Sequence, residues 1–252
     1  MDFSYVIAYR HQPDRLKNLH TVLKWLSNFK CEVIIVENDV ESKLDESKED
    51  FKFVHIFLNN NLPFNKSWCF NVGYKNASNE NVIFGDSDLI MDEKELLESV
   101  NLLRDYGCVN PYSSVIDLDS NETKLFIQNK LDLSKITRPG RGETDHQKVP
   151  MCGGIIFFTK SALDKVRGWD ENFWGWGAED DFMSKKVERF LMHKTLENKC
   201  YHLYHEKSIV YQDLYYRNIS VYNQLNSLDG PNMERYLEST KDQIGLINKR
   251  IN

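Results

Sequence analysis

The amino-terminal third of the sequence alternates short apolar runs with amphipathic segments, and this alternation constrains the fold more than any other feature. Four apolar runs predict strands, at residues 3–9, 32–37, 53–57 and 81–85. Apolar residues at helical spacing predict helices over residues 14–26 and near residues 65–76. Continuous apolar strands joined through helices are typical of parallel sheets covered on both faces. The chain is therefore predicted to adopt an α/β fold with a mostly parallel central sheet flanked by helices.

The rest of the chain is less regular. Further helices are predicted over residues 93–106 and 179–192, and further strands at residues 154–159 and 200–205. Ser161 is predicted to cap a helix that begins at Ala162. Residues 113–148 carry little pattern and end in a predicted loop, whereas residues 206–252 are polar, rich in tyrosine and predicted to be helical in part. Because no linker or repeat interrupts the chain, we expect one domain over residues 1–205 with residues 206–252 as its C-terminal extension.

Composition excludes several classes of protein. Of the 252 residues, 41% are hydrophobic and 28% are charged, as in ordinary soluble globular proteins. The net charge of −6 argues against a large basic surface, so no nucleic-acid partner is expected. No apolar run reaches the about 18–20 residues of a membrane span, and the first residues lack the features of a signal peptide. Five widely spaced cysteines are typical of reduced thiols, so a cytoplasmic location is expected.

Two acidic residues follow the predicted strand at residues 81–85. Asp86 and Asp88 would lie at the carboxyl end of that strand, where α/β sheets place their ligands. There the two carboxylates could bind a divalent cation, and the cation could bind a diphosphate. A pair of aspartates at this spacing is by itself more typical of a solvated turn between a strand and a loop.

A second cluster combines tryptophan, glycine and acidic residues. Trp174-Gly-Trp-Gly177 is followed closely by Glu179-Asp-Asp181 at the start of a predicted helix. Acidic residues in a first helical turn are stabilised by the helix dipole, which explains the acids without any function. The dipole does not explain the tryptophans, which between glycines would form a poor core and a good platform for a sugar ring. A carboxylate beside such a platform is a candidate general base.

His202 and His205 form the third cluster, on a predicted strand that then bends. Two histidines in a tyrosine-rich segment are by themselves typical of packed core residues. If the backbone turns between them, both imidazoles could reach one ion. Imidazole ligands combined with carboxylates favour a transition metal such as Mn²⁺ over an all-oxygen Ca²⁺ site.

Taken together, these motifs resemble those of the β-1,4-galactosyltransferase family, which are inverting glycosyltransferases of the GT-A fold, and more distantly bacterial chondroitin-polymerase-type domains. The matching segments occur in the family's order and are residues 6–10, 64–73, 86–90, 153–154, 173–181 and His205. The block Trp174–Asp181 is the most specific of them. The resemblance implies a GT-A fold with a Rossmann-like sheet, a donor half at about residues 1–90 and an acceptor half at about residues 91–205. Residues 206–252 would then provide a lid segment and a helical extension of the same domain.

The resemblance implies a metal site that binds Mn²⁺, with Mg²⁺ as the alternative. Asp88 and His205 match metal ligands of the family, and Asp86 supports the site. His202 stands where galactosyltransferases can present a methionine ligand, so that the metal here would have two imidazoles.

The resemblance also implies a donor site for a nucleotide sugar, most simply UDP-hexose or UDP-N-acetylhexosamine. The residues placed there are Tyr9, Arg10, Glu37, Phe64, Lys66, Asp86, Gly153, Gly154 and Trp176. Lys66 replaces an arginine of the family, which keeps the charge and loses bidentate phosphate geometry. Gln12 stands where the family often has a second arginine.

The acceptor side is implied to comprise Trp176, Glu179 and Asp180, with a glycan or glycoconjugate as acceptor. Asp180 matches the catalytic base, which would remove a proton from the acceptor hydroxyl as it attacks the anomeric carbon with inversion. The resulting prediction is a metal-dependent hexosyltransferase of the EC 2.4 class, of a bacterial or viral cytoplasmic type, acting in polysaccharide biosynthesis.

Two alternatives remain open at this point. A metal-dependent phosphoester hydrolase could use the same aspartates and histidines around two metal ions, but it leaves the tryptophan–glycine motif unexplained. A non-catalytic sugar-binding module would explain the tryptophans, but it needs neither Asp180 nor a set of metal ligands.

Overall fold

The computed structural model describes residues 2–45, 47, 50–143, 149–206 and 211–248. The strands are β1 (Ser4–Tyr9), β2 (Glu32–Asp39), β3 (Val54–Asn59), β4 (Asn81–Gly85), β5 (Leu89–Met91), β6 (Cys108–Asn110), β7 (Ser114–Asp117), β8 (Ile156–Thr159), β9 (His193–Thr195) and β10 (Lys199–His202). The helices are α1 (Pro13–Leu26), α2 (Lys66–Asn76), α3 (Glu93–Leu102), α4 (Ser120–Ile127), α5 (Lys160–Lys165), α6 (Glu179–Phe190), α7 (Gln212–Asn226) and α8 (Gly230–Thr240).

The central sheet has seven strands in the order β3-β2-β1-β4-β8-β6-β9. β3, β2, β1 and β4 are parallel to one another, as are β6 and β9, whereas β8 is antiparallel to both of its neighbours. The predicted α/β fold with a mostly parallel sheet is confirmed. Because β1, β2 and β4 are parallel neighbours, their carboxyl ends lie along one edge of the sheet, and this edge carries the candidate site.

A second sheet has three strands, in the order β5-β10-β7, and β5 follows β4 closely in the chain. In its register His202 is paired with Leu89 on one side and with Asp117 on the other. This small sheet therefore brings the segment after β4, the end of β10 and the end of β7 to one place. It positions the histidines beside Asp88.

Helices cover both faces of the central sheet. Successive residues of β1 point to opposite faces, so that Tyr5 and Ile7 pack with Trp25 of α1 while Val6 packs with Trp68 of α2. Both tryptophans are buried. These two apolar layers fix the sheet between α1 and α2.

Several local predictions were wrong. Thr159, and not Ser161, caps α5, because the Thr159 side chain accepts a hydrogen bond from the amide of Ala162. The stretch 113–148 is more regular than its composition indicated, since its described part contains β7 and α4. Asp119 and Glu122 form a capping box that begins α4. The strand predicted at residues 200–205 ends at His202.

The C-terminal extension packs against α6. Leu225 of α7 and Met233 and Leu237 of α8 form a small apolar cluster with Phe173 and Phe182. The predicted lid includes residues 207–210, which lie outside the described residues. All five cysteines are free thiols. Within the described ranges, no helix is both long enough and apolar enough to cross a membrane.

Lys186 of α6 carries a buried ammonium group. It donates hydrogen bonds to the carbonyls of Val166 and Gly168 and lies 5.5 Å from the centre of the Phe182 ring. Burial lowers the pKa of Lys186 from 10.5 to about 8. Between these two values the unfolded chain binds more protons than the folded chain, so the contribution of Lys186 to the free energy of unfolding rises with pH in this window.

We therefore expect the Lys186→Met variant to lose this pH dependence. The free energy of unfolding of the wild-type protein minus that of the variant should increase by about 2–3 kcal/mol between pH 7 and pH 10.5. Urea unfolding at both pH values measures this difference. Lys185→Met, at the exposed neighbouring position, should show no such change, and an equal difference at both pH values for Lys186→Met would contradict the prediction.

Candidate active site at the carboxyl edge of the sheet

Asp88, His202 and His205 form a cluster that could hold a metal ion. Each residue offers one ligand atom, and these atoms all lie within 4.8 Å of one another. The Asp88 carboxylate is buried, with His202 Nε2 at 3.7 Å and His205 Nε2 at 3.4 Å from its oxygens. The structure thus brings together three of the four residues predicted as metal ligands. The fourth, Asp86, lies outside this group.

Asp117 supports the cluster from the end of β7. Its Oδ1 lies 2.9 Å from Nδ1 of His202, which leaves Nε2 of His202 directed at Asp88. Burial opposes protonation of His202, but Asp117 and Asp88 raise the pKa of its imidazole to about 9. A carboxylate behind an imidazole orients the ring and increases its basicity toward a metal. Asp117 was not predicted from the sequence, because it lies in the stretch that carries little pattern.

Arg15 is a second residue that sequence analysis missed. It lies in the first turn of α1, and its Nη1 is 3.2 Å from Oδ2 of Asp88. Burial opposes ionisation of Asp88, but His202, Arg15 and His205 together lower the pKa of this carboxyl below its usual value.

Lys66 is the centre of a second cluster, formed by two helix N-termini that face each other. Its ammonium lies 3.2 Å from Asp180 and 3.2 Å from Asp86, and 4.0 Å from Glu179. Lys66 begins α2 because the Asn65 side chain caps that helix, and Glu179 and Asp180 begin α6. The N-terminal ends of helices stabilise nearby carboxylates.

Within this cluster, Asp180 has an unusually high pKa for a carboxylic acid. Burial raises the pKa of Asp180 to about 8; the Lys66 ammonium opposes this change, and the charges of Glu179 and Asp86 add to it. Burial opposes the charge on Lys66, yet the three carboxylates raise the pKa of its ammonium above the usual value. A carboxylate with a pKa near neutrality is suited to accept a proton.

Gly153 and Gly154 leave room beside Asp180. A Cβ at Gly153 would lie 3.4 Å from Oδ2 of Asp180. Gly154 has a φ of +78°, and a Cβ there would lie 2.3 Å from the Tyr112 hydroxyl. That hydroxyl donates to the Gly153 carbonyl and accepts from the Ile155 amide, so it is held in place. Gly153 therefore lets the backbone lie close to Asp180, and Gly154 leaves space for the Tyr112 hydroxyl.

Trp176 presents its ring to solvent next to this cluster. Its side chain is 64% exposed and stacks on Tyr215 of α7, with ring centres 5.5 Å apart. The loop that carries Trp176 is anchored, because the buried Asn218 side chain donates to the carbonyls of Trp174 and Trp176. The Gly177 amide donates to Glu179, which links the loop to the start of α6. Trp176 is therefore a fixed platform beside Glu179 and Asp180.

The remaining predicted donor residues lie farther along the sheet edge and serve structural contacts. The Arg10 guanidinium donates to the carbonyls of Asn38, Asn60 and Leu62 and lies 5.8 Å from the Phe64 ring centre. The hydroxyl of buried Tyr9 lies 3.1 Å from His11 Nδ1.

Glu37 is fully buried at the end of β2. Its carboxylate lies 3.0 Å from His55 Nε2 and accepts hydrogen bonds from Ser42 and the Lys43 amide. Burial opposes ionisation, but these partners lower the pKa of Glu37 below its usual value. The oxygens of Glu37 are therefore already bound within the protein.

Asp86 and Asp88, separated only by Ser87, join the two clusters. Asp86 points to Lys66, which also contacts Asp180, and Asp88 points to His202 and His205. A group of three potential metal ligands and a carboxylate with a raised pKa are thus held on the two sides of one turn. This arrangement fits a reaction in which a charged leaving group and a nucleophile meet between them.

Comparison with known proteins agrees with this geometry. A model of glycosyl transferase family 2 matches residues 5–167, more than half of the chain. The chain belongs to glycosyl transferase family 2. A second model, described as the N-terminal domain of galactosyltransferase, matches residues 145–206, which include Trp176, Asp180, His202 and His205.

Similar curated proteins of this family 2 chain include β-1,4-galactosyltransferases. Human β-1,4-galactosyltransferase 6 is 28% identical over 144 residues, covering 57% of this chain and 31% of the relative. Rat β-1,4-galactosyltransferase 4 is 25% identical over 186 residues, covering 71% of this chain and 46% of the relative. The resemblance inferred from the motifs is confirmed, although the chain spans only about a third to a half of the length of these relatives.

Solved structures show the same GT-A fold as this family 2 chain. Residues 1–349 of TarS from S. aureus align with a TM-score of 0.57 and 17% identity, covering 98% of this chain and 70% of that one. GalNAc-T7, solved with UDP, GalNAc and Mn²⁺, aligns with a TM-score of 0.56 and 16% identity, covering 96% and 54%. The mannosyltransferase PcManGT from Pyrobaculum calidifontis, solved with GDP-Man and Mn²⁺, has a TM-score of 0.54, 14% identity, and coverage of 95% and 68%.

Proposed function

We propose that the protein is a metal-dependent inverting glycosyltransferase that moves a sugar from a nucleotide-diphosphate donor, most simply UDP-hexose or UDP-N-acetylhexosamine, to a hydroxyl group of a glycan. The observation that carries this proposal is the placement of Asp88, His202 and His205 on one side of a turn and of Asp180 on the other. Family membership supports it, as do the galactosyltransferase relatives and the UDP and Mn²⁺ bound in GalNAc-T7.

The described residues fit a divalent transition metal. Asp88 offers a buried carboxylate oxygen, and His202 and His205 offer imidazole nitrogens, a mixed set that suits Mn²⁺ better than Ca²⁺. We assign these three residues as the ligands and Asp86 as a supporting residue. A bound Mn²⁺, or Mg²⁺ in its place, would neutralise negative charge on the departing diphosphate.

Asp180 is the proposed general base. Its raised pKa and its position beside Gly153, Lys66 and the Trp176 platform suit removal of a proton from an acceptor hydroxyl. The deprotonated hydroxyl would attack the anomeric carbon from the face opposite the diphosphate, and the configuration would invert. Gly153 and Gly154 allow the donor sugar to approach the backbone.

We expect Lys66 to set the pH dependence of this base. Because the Lys66 ammonium lowers the pKa of Asp180, Lys66→Met should raise that pKa further. The acid limb of kcat/KM for transfer should then move to higher pH by about 1–3 units. Lys66→Arg keeps the charge and should keep the limb near its wild-type position. An unchanged limb in Lys66→Met would show that Asp180 is not the titrating base.

The acceptor is proposed to be a glycan that stacks on Trp176. An exposed, anchored indole beside two carboxylates offers an apolar face for a pyranose ring and hydrogen-bond acceptors for its hydroxyls. Glu179 and Asp180 would bind those hydroxyls. Oligosaccharides are therefore suitable first probes.

The organisation of the chain follows from these roles. We propose that residues 1–90 form the donor half, residues 91–205 the acceptor half, and residues 206–252 a lid segment and helical extension of the same domain. Tyr9, Arg10, Glu37 and Phe64 stay assigned to the donor half, where Arg10 and Glu37 shape the backbone of the site through their hydrogen bonds. A cytoplasmic location and a role in polysaccharide biosynthesis belong to the same proposal.

The hydrolase alternative is not favoured. A two-metal hydrolase holds ions about 3.5–4 Å apart and needs a second set of ligands. Among the described residues one group of three potential ligands is present, and Asp86 and Asp180 are paired with Lys66 instead. A sugar-binding module would not need the metal ligands beside the Trp176 platform.

Thermal unfolding with UDP, GDP, CDP and dTDP, each with and without Mn²⁺, tests the proposal. A ligand at 100 times its dissociation constant stabilises the fold by about 2.7 kcal/mol, which shifts the unfolding temperature visibly. We expect one nucleotide, UDP, to stabilise the protein only when Mn²⁺ is present. Stabilisation by Mn²⁺ alone, with no response to any nucleotide, would favour the hydrolase.

A further inference from the structure

Arg15 occupies a position that the proposed metal site does not explain. Its Nη1 is 3.2 Å from Oδ2 of Asp88, and the same oxygen is 3.4 Å from Nε2 of His205. The guanidinium therefore lies against the one carboxylate of the metal-ligand group. With 28% of its side chain exposed, Arg15 also reaches the solvent-facing side of the site.

A cation in this position opposes a metal ion. A divalent ion bound by Asp88, His202 and His205 would share the Asp88 carboxylate with the guanidinium, at a separation where two positive charges repel each other strongly. In a protein without donor, Arg15 neutralises the buried Asp88. The same contact weakens the binding of a metal ion that arrives alone.

A diphosphate turns the repulsion between Arg15 and the metal ion into a net attraction, because it brings several negative charges to the metal. A guanidinium binds phosphate oxygens through two parallel hydrogen bonds and remains charged at any physiological pH. Three other residues assigned to this edge do not offer a guanidinium to phosphate in this way. Arg10 donates to three backbone carbonyls, Gln12 carries no charge, and Lys66 is held among three carboxylates. Within the part of the chain that the structure describes, Arg15 is the arginine that forms an ion pair with a member of the metal-ligand group.

We propose that Arg15 is a diphosphate-binding residue of the donor site that pairs with Asp88 until the donor arrives, a role that rests on the proposed function because it presupposes a nucleoside diphosphate. Arg15 then couples the binding of the two ligands. A metal ion that binds alone is repelled by the Arg15 guanidinium, whereas the negative charge of a diphosphate offsets this repulsion. Coupling between two ligands is reciprocal, so that each should increase the affinity for the other by the same factor.

The test compares Arg15→Gln with Lys17→Gln, a control on the same helix whose ammonium is exposed and pairs with Asp14. Free Mn²⁺, measured by electron paramagnetic resonance, gives the affinity for Mn²⁺ alone, and calorimetry at saturating Mn²⁺ gives the affinity for UDP. In Arg15→Gln we expect Mn²⁺ alone to bind about 5- to 10-fold tighter and UDP to bind at least about 10-fold more weakly. Lys17→Gln should match the wild-type protein in both measurements.

Arg15→Lys separates charge from geometry and replaces Arg15→Gln if that variant does not fold. The lysine keeps the repulsion, so Mn²⁺ alone should bind as in the wild-type protein, while UDP binds more weakly because the bidentate contact is lost. Unchanged or weaker binding of Mn²⁺ alone in Arg15→Gln, or unchanged binding of UDP in either variant, would overturn the role of Arg15. A wild-type protein that binds neither Mn²⁺ nor UDP would instead overturn the proposed function.

Discussion

Replacing Asp180 by asparagine should lower the rate of sugar transfer by about 10²–10⁴-fold. The side chain keeps its size and its position at the start of α6, but it can no longer accept a proton from the acceptor hydroxyl. Binding of the donor should survive, because Asp180 lies on the side of the turn opposite the metal-ligand group. Transfer is measured as release of the nucleoside diphosphate in the presence of acceptor, and donor binding as UDP-dependent thermal stabilisation.

Asp181→Asn is the matched control, since Asp181 is also an acid in the first turn of α6 but is exposed. Its transfer rate should stay close to that of the wild-type protein. A variant at Asp180 with unaffected turnover and lost donor binding would show that Asp180 serves the donor and that the base lies elsewhere.

Replacing Asp88 by asparagine should have an effect of similar size through a different step. The amide removes the only carboxylate from the group of three potential ligands, so the metal loses its anionic ligand. Charge neutralisation by a metal contributes several kcal/mol to catalysis, so we expect transfer to fall by about 10³-fold. The stabilisation that UDP and Mn²⁺ produce together in thermal unfolding should disappear.

In the wild-type protein, chelation of the metal by EDTA should lower transfer as much as Asp88→Asn does. Added Mn²⁺ should restore transfer by the wild-type protein but not by the Asp88→Asn variant. Asp105→Asn, at an exposed turn, serves as the control for removal of one negative charge. If Asp88→Asn retained full Mn²⁺-dependent stabilisation by UDP, the metal would have to be held by other residues.

The sequence was sufficient to predict the fold, and the position of Asp86 and Asp88 at the edge of the sheet, because both depend on local signals. The strands at the parallel edge are short, mostly apolar runs, and Asp86 and Asp88 follow one of these runs directly. In an α/β sheet such positions converge at the carboxyl edge. The meeting of Asp88 with His202 and His205, residues distant in the chain, was anticipated from the resemblance to a family and is reproduced by the pairing of β5 with β10.

Asp117 and Arg15 could not be predicted because their roles depend on long-range pairing. Asp117 meets His202 only because β7 pairs with β10, and β7 is a short strand in a stretch without clear periodicity. In the sequence, Arg15 has the pattern of an ordinary polar position in an amphipathic helix. Only the packing of α1 beside the turn after β4 brings its side chain to Asp88. Neither contact can be inferred from the local sequence pattern around these residues.

Lys66 illustrates a residue whose position was predicted and whose contacts were not. The resemblance assigned it to the donor, whereas the structure directs its ammonium at Asp86 and Asp180. This contact arises because α2 and α6 begin at the same place, with Asn65 capping the first helix and also donating to the Glu171 carbonyl. Which helix ends face each other is a property of the whole fold.

The most direct test of the central claim is identification of the phosphorus-containing product by ³¹P NMR. The protein is incubated with a UDP-sugar, Mn²⁺ and a panel of oligosaccharide acceptors. Glycosyl transfer breaks the bond between the anomeric carbon of the sugar and the diphosphate oxygen, so we predict UDP as the product. UDP should form only with Mn²⁺, and its formation should be lost in the Asp88→Asn and Asp180→Asn variants. Formation of UMP and a sugar 1-phosphate would mean that the diphosphate itself is cleaved, which would contradict glycosyl transfer and establish a hydrolase.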